Sequence, residues 1–330
     1  MTAPLAADGK LPRELPLVGR KADVERLFGA FGAGAAASRV RVITGEAGVG
    51  KSRLARTLAA EATRRNWRVL VGRAFPVEQG VPYAVMADAF VHHLREMDQA
   101  SLTVLARGRE ADLWRLFPAL GDADAPLDEG LEPDELRTRL YWTFSSVLKG
   151  AARRTPLLVV LEDLHWADPS SLALLHFLAR QLEGAEVRFV ATSTAEEREQ
   201  NPDLLRLERS LESLGLLDRM ELSPLELSAT EQLLQEVFGM AGPPVSEFAQ
   251  RLYGWTRGNA YFLEQTLQAL VQQGQLYQRD GTWLGWESPE LILPSTVRDA
   301  ILARFQGLDC LLYTSPSPRD RTRSRMPSSA

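Results

Sequence analysis

The sequence predicts an α/β fold built on a parallel, doubly wound sheet, followed by a smaller α-helical region. Three observations predict it. Leu157-Leu-Val-Val-Leu161 is a continuous apolar run, as a strand buried on both faces of a parallel sheet requires. Strand-like segments alternate with helical periodicities from about residue 39 to 192, the pattern of a sheet flanked by helices. After Leu222 helical periodicities follow one another without intervening strands.

Each element has a local reason. Val24, Leu27, Phe28 and Phe31 fall at helical spacing and predict a helix from about Lys21 to Phe31. The following GAGAAAS run reads as a flexible turn. Arg39 to Thr44 is rich in β-branched residues and reads as a strand, and a helix follows from Lys51 to about Asn66. Arg68 to Val71 is a second strand. Ala84 to Met97 and Glu135 to Lys149 are helical, with a partly acidic helical segment between them. Asp168 caps a helix that carries Pro169 at its first position and Leu172, Leu175, Phe177 and Leu178 along it. Val187 to Thr192 is the next strand. Helices are expected at about 228–238, 246–254 and 260–273. A hairpin then runs from Leu276 to Leu284, turning at Asp280-Gly281. Pro294 to Arg298 opens a last helix, the start of a winged-helix-like region. No internal repeat is visible.

Composition narrows the classes. The chain has 330 residues, 45% hydrophobic and 25% charged, ordinary values for a globular protein. No apolar run approaches the roughly 18 residues of a membrane span. The N-terminal MTAPLAADGKLPREL has no apolar core behind basic residues and is not a secretory signal. A cytoplasmic location is the expectation. A net charge of −5 points to no nucleic-acid surface, and a single cysteine excludes a disulfide framework or a cysteine metal site.

One segment carries strong chemistry. Gly45-Glu46-Ala47-Gly48-Val49-Gly50-Lys51-Ser52 fits GxxxxGK[ST] in full, directly after a strand and directly before a helix. Such a P-loop wraps a phosphate in backbone N–H groups at a helix N-terminus. Lys51 would reach the β and γ phosphates of ATP, or the β phosphate of ADP, the Ser52 hydroxyl would ligate Mg²⁺, and Arg53 follows in the same turn. Leu158-Val-Val-Leu-Glu162-Asp163 is the second element: a buried strand that ends in two acids at the sheet's carboxyl edge, where ligands of open α/β sheets bind. Glu162 is expected in the Mg²⁺ shell and Asp163 on the attacking water. His92-His93 cannot easily share a metal, because adjacent helical residues diverge, and both read as surface residues. No Ser/His/Asp constellation stands out.

Leu161-Glu-Asp-Leu-His-Trp-Ala-Asp-Pro-Ser170 resembles a block of the STAND-type AAA ATPases, the signal-transduction ATPases with numerous domains found in large LuxR-type transcriptional regulators and in proteins fused to class III cyclases or protein kinases. Leu17-Val-Gly-Arg20, Val81-Pro-Tyr-Ala84 and Gly258-Asn-Ala260 fit the same family, so the resemblance runs from about Leu15 to Asp309. It implies Val18, Gly19 and Arg20 near the adenine, a γ-phosphate sensor in Ala191-Thr-Ser-Thr194 (Thr192 or Ser193), and Asn259 in a lid over the nucleotide. Two positions depart from the family: Thr194 stands where many relatives have Arg, and Ala260 where they have Pro. Both departures are expected to weaken nucleotide contact or hydrolysis. His165 and Trp166 read equally as nucleotide contacts or as a packed turn, and Arg198 and Arg257 as candidate trans or lid arginines.

The expected organisation is a leader at 1–15, an ATPase core at 16–222, a truncated helical lid with a hairpin at 223–309, and a tail at 310–330. CLLYTSPSPRD and SRMPSSA in that tail resemble a translated transposase adapter from DNA library preparation. The natural chain is therefore expected to continue differently beyond Asp309. Removing the tail's four arginines and one aspartate takes the net charge from −5 to −8. The leading expectation is an ATP-binding, slowly hydrolysing switch in a LuxR-type regulator, with downstream sensor and DNA-binding domains. A regulatory module of a class III cyclase or kinase, and an AAA motor or loader, are the alternatives. Nucleotide-dependent self-association is the further partner expected, and no membrane.

Overall fold

A computed structural model describes residues 10–12, 14–29, 38–117, 132–239, 242–279, 282–286 and 288. The GAGAAAS turn up to Ala37, the Asp280-Gly281 turn, the helix expected from Pro294 and the 310–330 tail lie outside the described residues. The chain divides into two compact units: Arg20–Ser223, and the described residues up to Gly19 together with those from Pro224 onward.

The first unit opens with α1 (Lys21–Gly29), β1 (Val40–Gly45), α2 (Lys51–Arg64) and β2 (Arg68–Arg73). Four helices follow: α3 (Ala84–Glu96), α4 (Gln99–Ala106), α5 (Glu110–Leu116) and α6 (Pro133–Ala152). Then come β3 (Leu157–Glu162), α7 (Pro169–Gln181), β4 (Val187–Thr194), α8 (Ala195–Glu199), α9 (Pro202–Ser213) and β5 (Leu217–Glu221). The five strands form one parallel sheet in the order β2-β3-β4-β1-β5.

Both faces of the sheet are covered, which is why β3 is apolar at every position up to Leu161. Leu158 and Val160 join Ile43 and Val190 under α1 and α2, against Leu27, Leu54 and Leu58. Leu157, Val159 and Leu161 join Val42, Phe189 and Ala191 on the other face, under helices that supply Phe90, Phe144 and Leu175. Asp168 caps α7 as its sequence position predicts, its carboxylate accepting from Ser171 N at 2.9 Å.

Sequence reasoning missed α8, α9 and β5. The edge strand β5 (LDRME) buries only Leu217 and Met220, so it has no alternation to read. Its order comes from pairing with β1, in which Val40 lies beside Leu217 and Thr44 beside Glu221. The histidine pair also needs correction. His92 is exposed beside Glu96, but His93 is buried, its Nδ1 lying 3.2 Å from the Arg68 guanidinium, and burial lowers its pKa. The residues lie about 100° apart around α3, so one turns out and the other in.

The second unit holds α10 (Leu227–Phe238), α11 (Pro243–Thr256), α12 (Ala260–Gln272) and a hairpin of β6 (Tyr277–Arg279) and β7 (Thr282–Leu284). Arg279 pairs with Thr282, which leaves a two-residue connection between the strands. Leu234, Phe248, Leu252, Leu267 and Trp283 form its core, with Leu15 and Val18.

Candidate nucleotide-binding site

The loop from Gly45 to Ser52 joins β1 to α2 at the carboxyl edge of the sheet. Two of its glycines are required by geometry. Gly45 has φ +149°, and a Cβ there would stand 2.6 Å from the Leu222 carbonyl oxygen. Gly50 has φ +109° and sits at the N-cap of α2 with no side chain to cap it. Among the described residues no side chain caps the N-terminus of α2, where the helix dipole favours an anion. Lys51 is buried, and its ammonium donates to the carbonyls of Gly45 at 3.0 Å and Glu46 at 2.9 Å. Glu46, Ala47 and Gly48 form the exposed crest of the loop, while Val49 is buried under it. Ser52 and Arg53, half-buried, begin α2. A glycine-built cradle with a buried lysine at its base fits a polyphosphate.

β4 lies between β1 and β3, so the acidic pair is two strands away from the loop. Alternation along β3 puts Glu162 on the face of Leu158 and Val160, which pack against α2. Burial raises the Glu162 pKa above the usual carboxylate range; Arg73 on β2 opposes this, Asp163 adds to it, and Arg56 on α2 opposes it. Asp163 leaves the strand in the left-handed region, at φ +56°. Its backbone N–H donates to Thr192 Oγ1 at 3.0 Å, and its carboxylate pairs with the Arg73 guanidinium at 3.1 Å. Glu162 and Asp163, adjacent in sequence, therefore meet different surroundings.

Arg73 was not legible from the sequence, where β2 is expected to end at Val71. The strand runs on to Arg73, which pairs in register with Glu162. A basic residue two positions past the expected end of β2 was the available signal.

The end of β4 separates the two candidate sensors. Thr192 lies on the face of Val190, towards α2, and Ser193 on the opposite face; both are fully buried. The backbone N–H of Thr194 donates to His165 Nδ1 at 3.2 Å. His165 is itself buried, its carbonyl accepts from Asn201 Nδ2 at 3.0 Å, and its ring lies 5.0 Å from that of Trp166. Burial lowers its pKa, against the opposing charges of Asp163 and Glu197. The His165-Trp166 segment is thus a packed turn that ties the ends of β3 and β4 together. Arg198 is not a free cation: Glu208, fully buried, accepts from its Nε at 2.8 Å, and this bond raises the arginine pKa.

Asp168 does more than cap a helix. Its carboxylate also accepts from Tyr83 N at 3.0 Å and Ala84 N at 3.2 Å, which holds the Val81–Ala84 segment to the start of α7. Arg20 is buried at the start of the first unit, donating to the Ser223 carbonyl and pairing with Asp23 at 3.4 Å.

In the second unit, Val18 is buried in the core, and a Cβ on Gly19 (φ +65°) would stand 2.7 Å from Ala229 Cβ. Gly258 approaches Leu225 closely, its carbonyl accepting from Leu225 N at 2.8 Å. Asn259 caps α12, its side chain accepting from Phe262 N at 3.3 Å. Arg257 ends α11 in the left-handed region at φ +52°. The Gly-Asn pair therefore builds the corner between two helices.

A phosphate cradle on a parallel sheet, with acids ending a strand two places along, defines a P-loop nucleoside-triphosphatase module. The chain belongs to the AAA ATPase domain family, whose model matches residues 16–190. It is an ATPase module of the AAA type. A protein of uncharacterised function from Rhizobium meliloti (strain 1021) is 27% identical over 189 residues, covering 54% of this chain and 18% of that protein. Among solved structures, a STAND protein with a tetratricopeptide repeat sensor from Pyrococcus horikoshii matches 78% of this chain and 31% of its own at 18% identity, with a TM-score of 0.44. The Aeropyrum pernix ORC2 protein, in ADPNP and ADP complexes, matches 90% of this chain and 70% of its own at 16% identity, with a TM-score of 0.40. Among the described residues no helix is long and apolar enough to cross a membrane.

Proposed function

We propose that this module is a nucleotide-dependent switch of the STAND type, serving a multidomain signalling protein, with a LuxR-type transcriptional regulator as its host. ATP with Mg²⁺ would be held by Gly45 to Arg53, with Lys51 on the β and γ phosphates and Ser52 and Glu162 around the metal. Val18, Gly19, Arg20, Thr192 and Asn259 are proposed as further nucleotide contacts. Bound Mg²⁺ would supply charge neutralisation on the transferred phosphoryl group. Asp163 would orient the attacking water, and Arg73 and Thr192 hold Asp163 for that task.

The observation that carries the reading is the pairing of a full phosphate cradle with a hydrolytic edge whose arginines, Arg73 and Arg198, are already paired with acids. The cradle supports tight binding. Thr194 has no cationic side chain, and Arg198 is committed to Glu208. A developing charge on the γ phosphate is then poorly countered, which favours slow turnover over a motor's fast cycle. The Leu161–Ser170 block supports the STAND assignment, and the Rhizobium relative, of which this chain covers 18%, is consistent with a module inside a larger protein.

The test is to measure ATP affinity and steady-state hydrolysis together on the whole chain. Micromolar binding with turnover well below the ordinary enzymatic median of about 10 per second is expected. Lys51→Ala should abolish binding. Fast turnover that survives Lys51→Ala would refute the proposal.

A further inference from the structure

The helices between β2 and β3 carry a second cavity whose chemistry none of the nucleotide machinery uses. It has a volume of about 320 Å³ and sits between the α4–α5 corner and α6. Its walls include Arg107, Arg109, Lys149, Thr143, Ser145 and Trp142, and among the described residues none that lines it is acidic. We propose that this cavity binds a phosphomonoester: the phosphate lies on Arg107, Arg109, Lys149 and Ser145, and a planar group attached to it lies along Trp142.

Four observations carry the assignment. Arg107 ends α4 in the left-handed region at φ +55°, and Arg109 precedes α5 at its N-cap, so the corner presents two guanidinium groups from a three-residue turn. Among the described residues neither arginine side chain, nor that of Lys149, has an acidic partner. The neighbouring acid is already engaged: buried Asp112 receives Arg115 at 3.4 Å, Arg139 at 3.0 Å and the Thr143 hydroxyl at 3.0 Å. Glu110, at the start of α5, accepts from Thr103.

The third observation is Ser145. It is 1% exposed, lines the cavity, and among the described residues its Oγ has no hydrogen-bond partner. Its neighbour Ser146 solves the same problem by donating to the Trp142 carbonyl one turn back, at 3.0 Å. A buried hydroxyl without a partner is rare, and an acceptor oxygen in the cavity would satisfy it. Three cations around one unsatisfied donor suit an oxyanion, with charge-assisted bonds from the guanidinium groups. The fourth is Trp142, 48% exposed, which lies one turn before Ser145 and Ser146 and two turns before Lys149 on α6. A neighbouring cavity of about 540 Å³, lined also by Asp134, Glu135, Thr138 and Arg139, shares Arg109 and Trp142 with this one and gives room for the uncharged planar group that the phosphate carries.

The experiment is ¹⁹F NMR of the full chain labelled with 5-fluorotryptophan, titrated with phenyl phosphate. Trp142→Phe assigns one resonance among the seven tryptophans. That resonance should shift saturably, and should do so equally in Lys51→Ala, which separates this cavity from the P-loop. Arg107→Gln with Arg109→Gln should raise the midpoint at least tenfold, and Ser145→Ala several-fold. Phenol, which lacks the phosphate, should not saturate the shift. No saturable shift, an unchanged midpoint in the double variant, or an equal response to phenol would each overturn the proposal.

Discussion

Replacing Thr192 with valine tests the link between the ends of β3 and β4. Thr192 is fully buried, and its Oγ1 accepts the Asp163 N–H at 3.0 Å, a bond between residues 29 apart in sequence. Valine keeps the shape and the methyl group but cannot accept, so little cavity forms and the N–H loses its partner. An unsatisfied buried donor costs about 1–3 kcal/mol. Asp163 is only half-buried, so the lower part of that range applies, and the unfolding equilibrium should shift by about 5- to 30-fold at 1–2 kcal/mol. Thr192→Ser keeps the acceptor and loses a methyl, at about 1 kcal/mol. The two variants are therefore similar in stability and differ in chemistry. Asp163 stands at φ +56°, and its turn is free to relax once the bond is gone. A carboxylate displaced by about 1 Å costs roughly a hundredfold in turnover. Denaturant unfolding, ATP affinity and hydrolysis would be measured on both. Thr192→Val should lose at least tenfold in hydrolysis, more than it loses in affinity, and Thr192→Ser should stay near wild type. Equal losses in the two variants, or normal turnover in Thr192→Val, would refute the reasoning.

Gly45→Ala places a methyl 2.6 Å from the Leu222 carbonyl oxygen at a φ of +149°; thermal melts should show a loss of about 2 kcal/mol or more, with ATP binding lost as the cradle deforms. Arg73→Met removes the partner of Asp163, and with it the guanidinium whose carbon lies 5.5 Å from the centre of the Phe75 ring. The pair is half-exposed, so stability should fall by no more than about 1 kcal/mol, whereas hydrolysis should change several-fold; unchanged kinetics would show that the pairing does not govern Asp163. His165 is held neutral by burial, with its folded pKa below the ordinary 6.5. Its contribution to stability is present above that value and is lost as pH falls through the depressed folded value, because the unfolded chain takes up the proton first. Denaturation midpoints should drop as pH falls below about 6.5, and His165→Gln should flatten that slope; an unaltered slope would assign the drop to other groups.

Much of the module is legible in the amino-acid sequence, for local reasons. The spacing of Gly45, Gly48, Gly50 and Lys51 states a backbone conformation and a charge within one turn, and the fold keeps all of it next to β1 and α2. Leu157 to Leu161 reads as a strand buried on both sides because five apolar residues in succession leave no polar face and the run is short for a buried helix. Asp168-Pro169 marks a helix start by capping chemistry that depends only on neighbours.

What stayed hidden depends on which strand lies beside which. β4 enters between β1 and β3, which brings Thr192 to Asp163 and His165 to Thr194, and β2 lies on the other side of β3, which brings Arg73 to the acids at its end. β5 is a strand because β1 offers it an edge, with too few apolar residues of its own to declare it. Arg198 reads as an available cation in the sequence and is bound to Glu208 in the fold. Local chemistry belongs to residues within a turn of each other, so the sequence by itself determined the cradle, the buried strand and the caps. Pairings between residues 29 or 90 apart depend on strand order and register, so only the tertiary structure decided how the carboxylates beside that cradle are held.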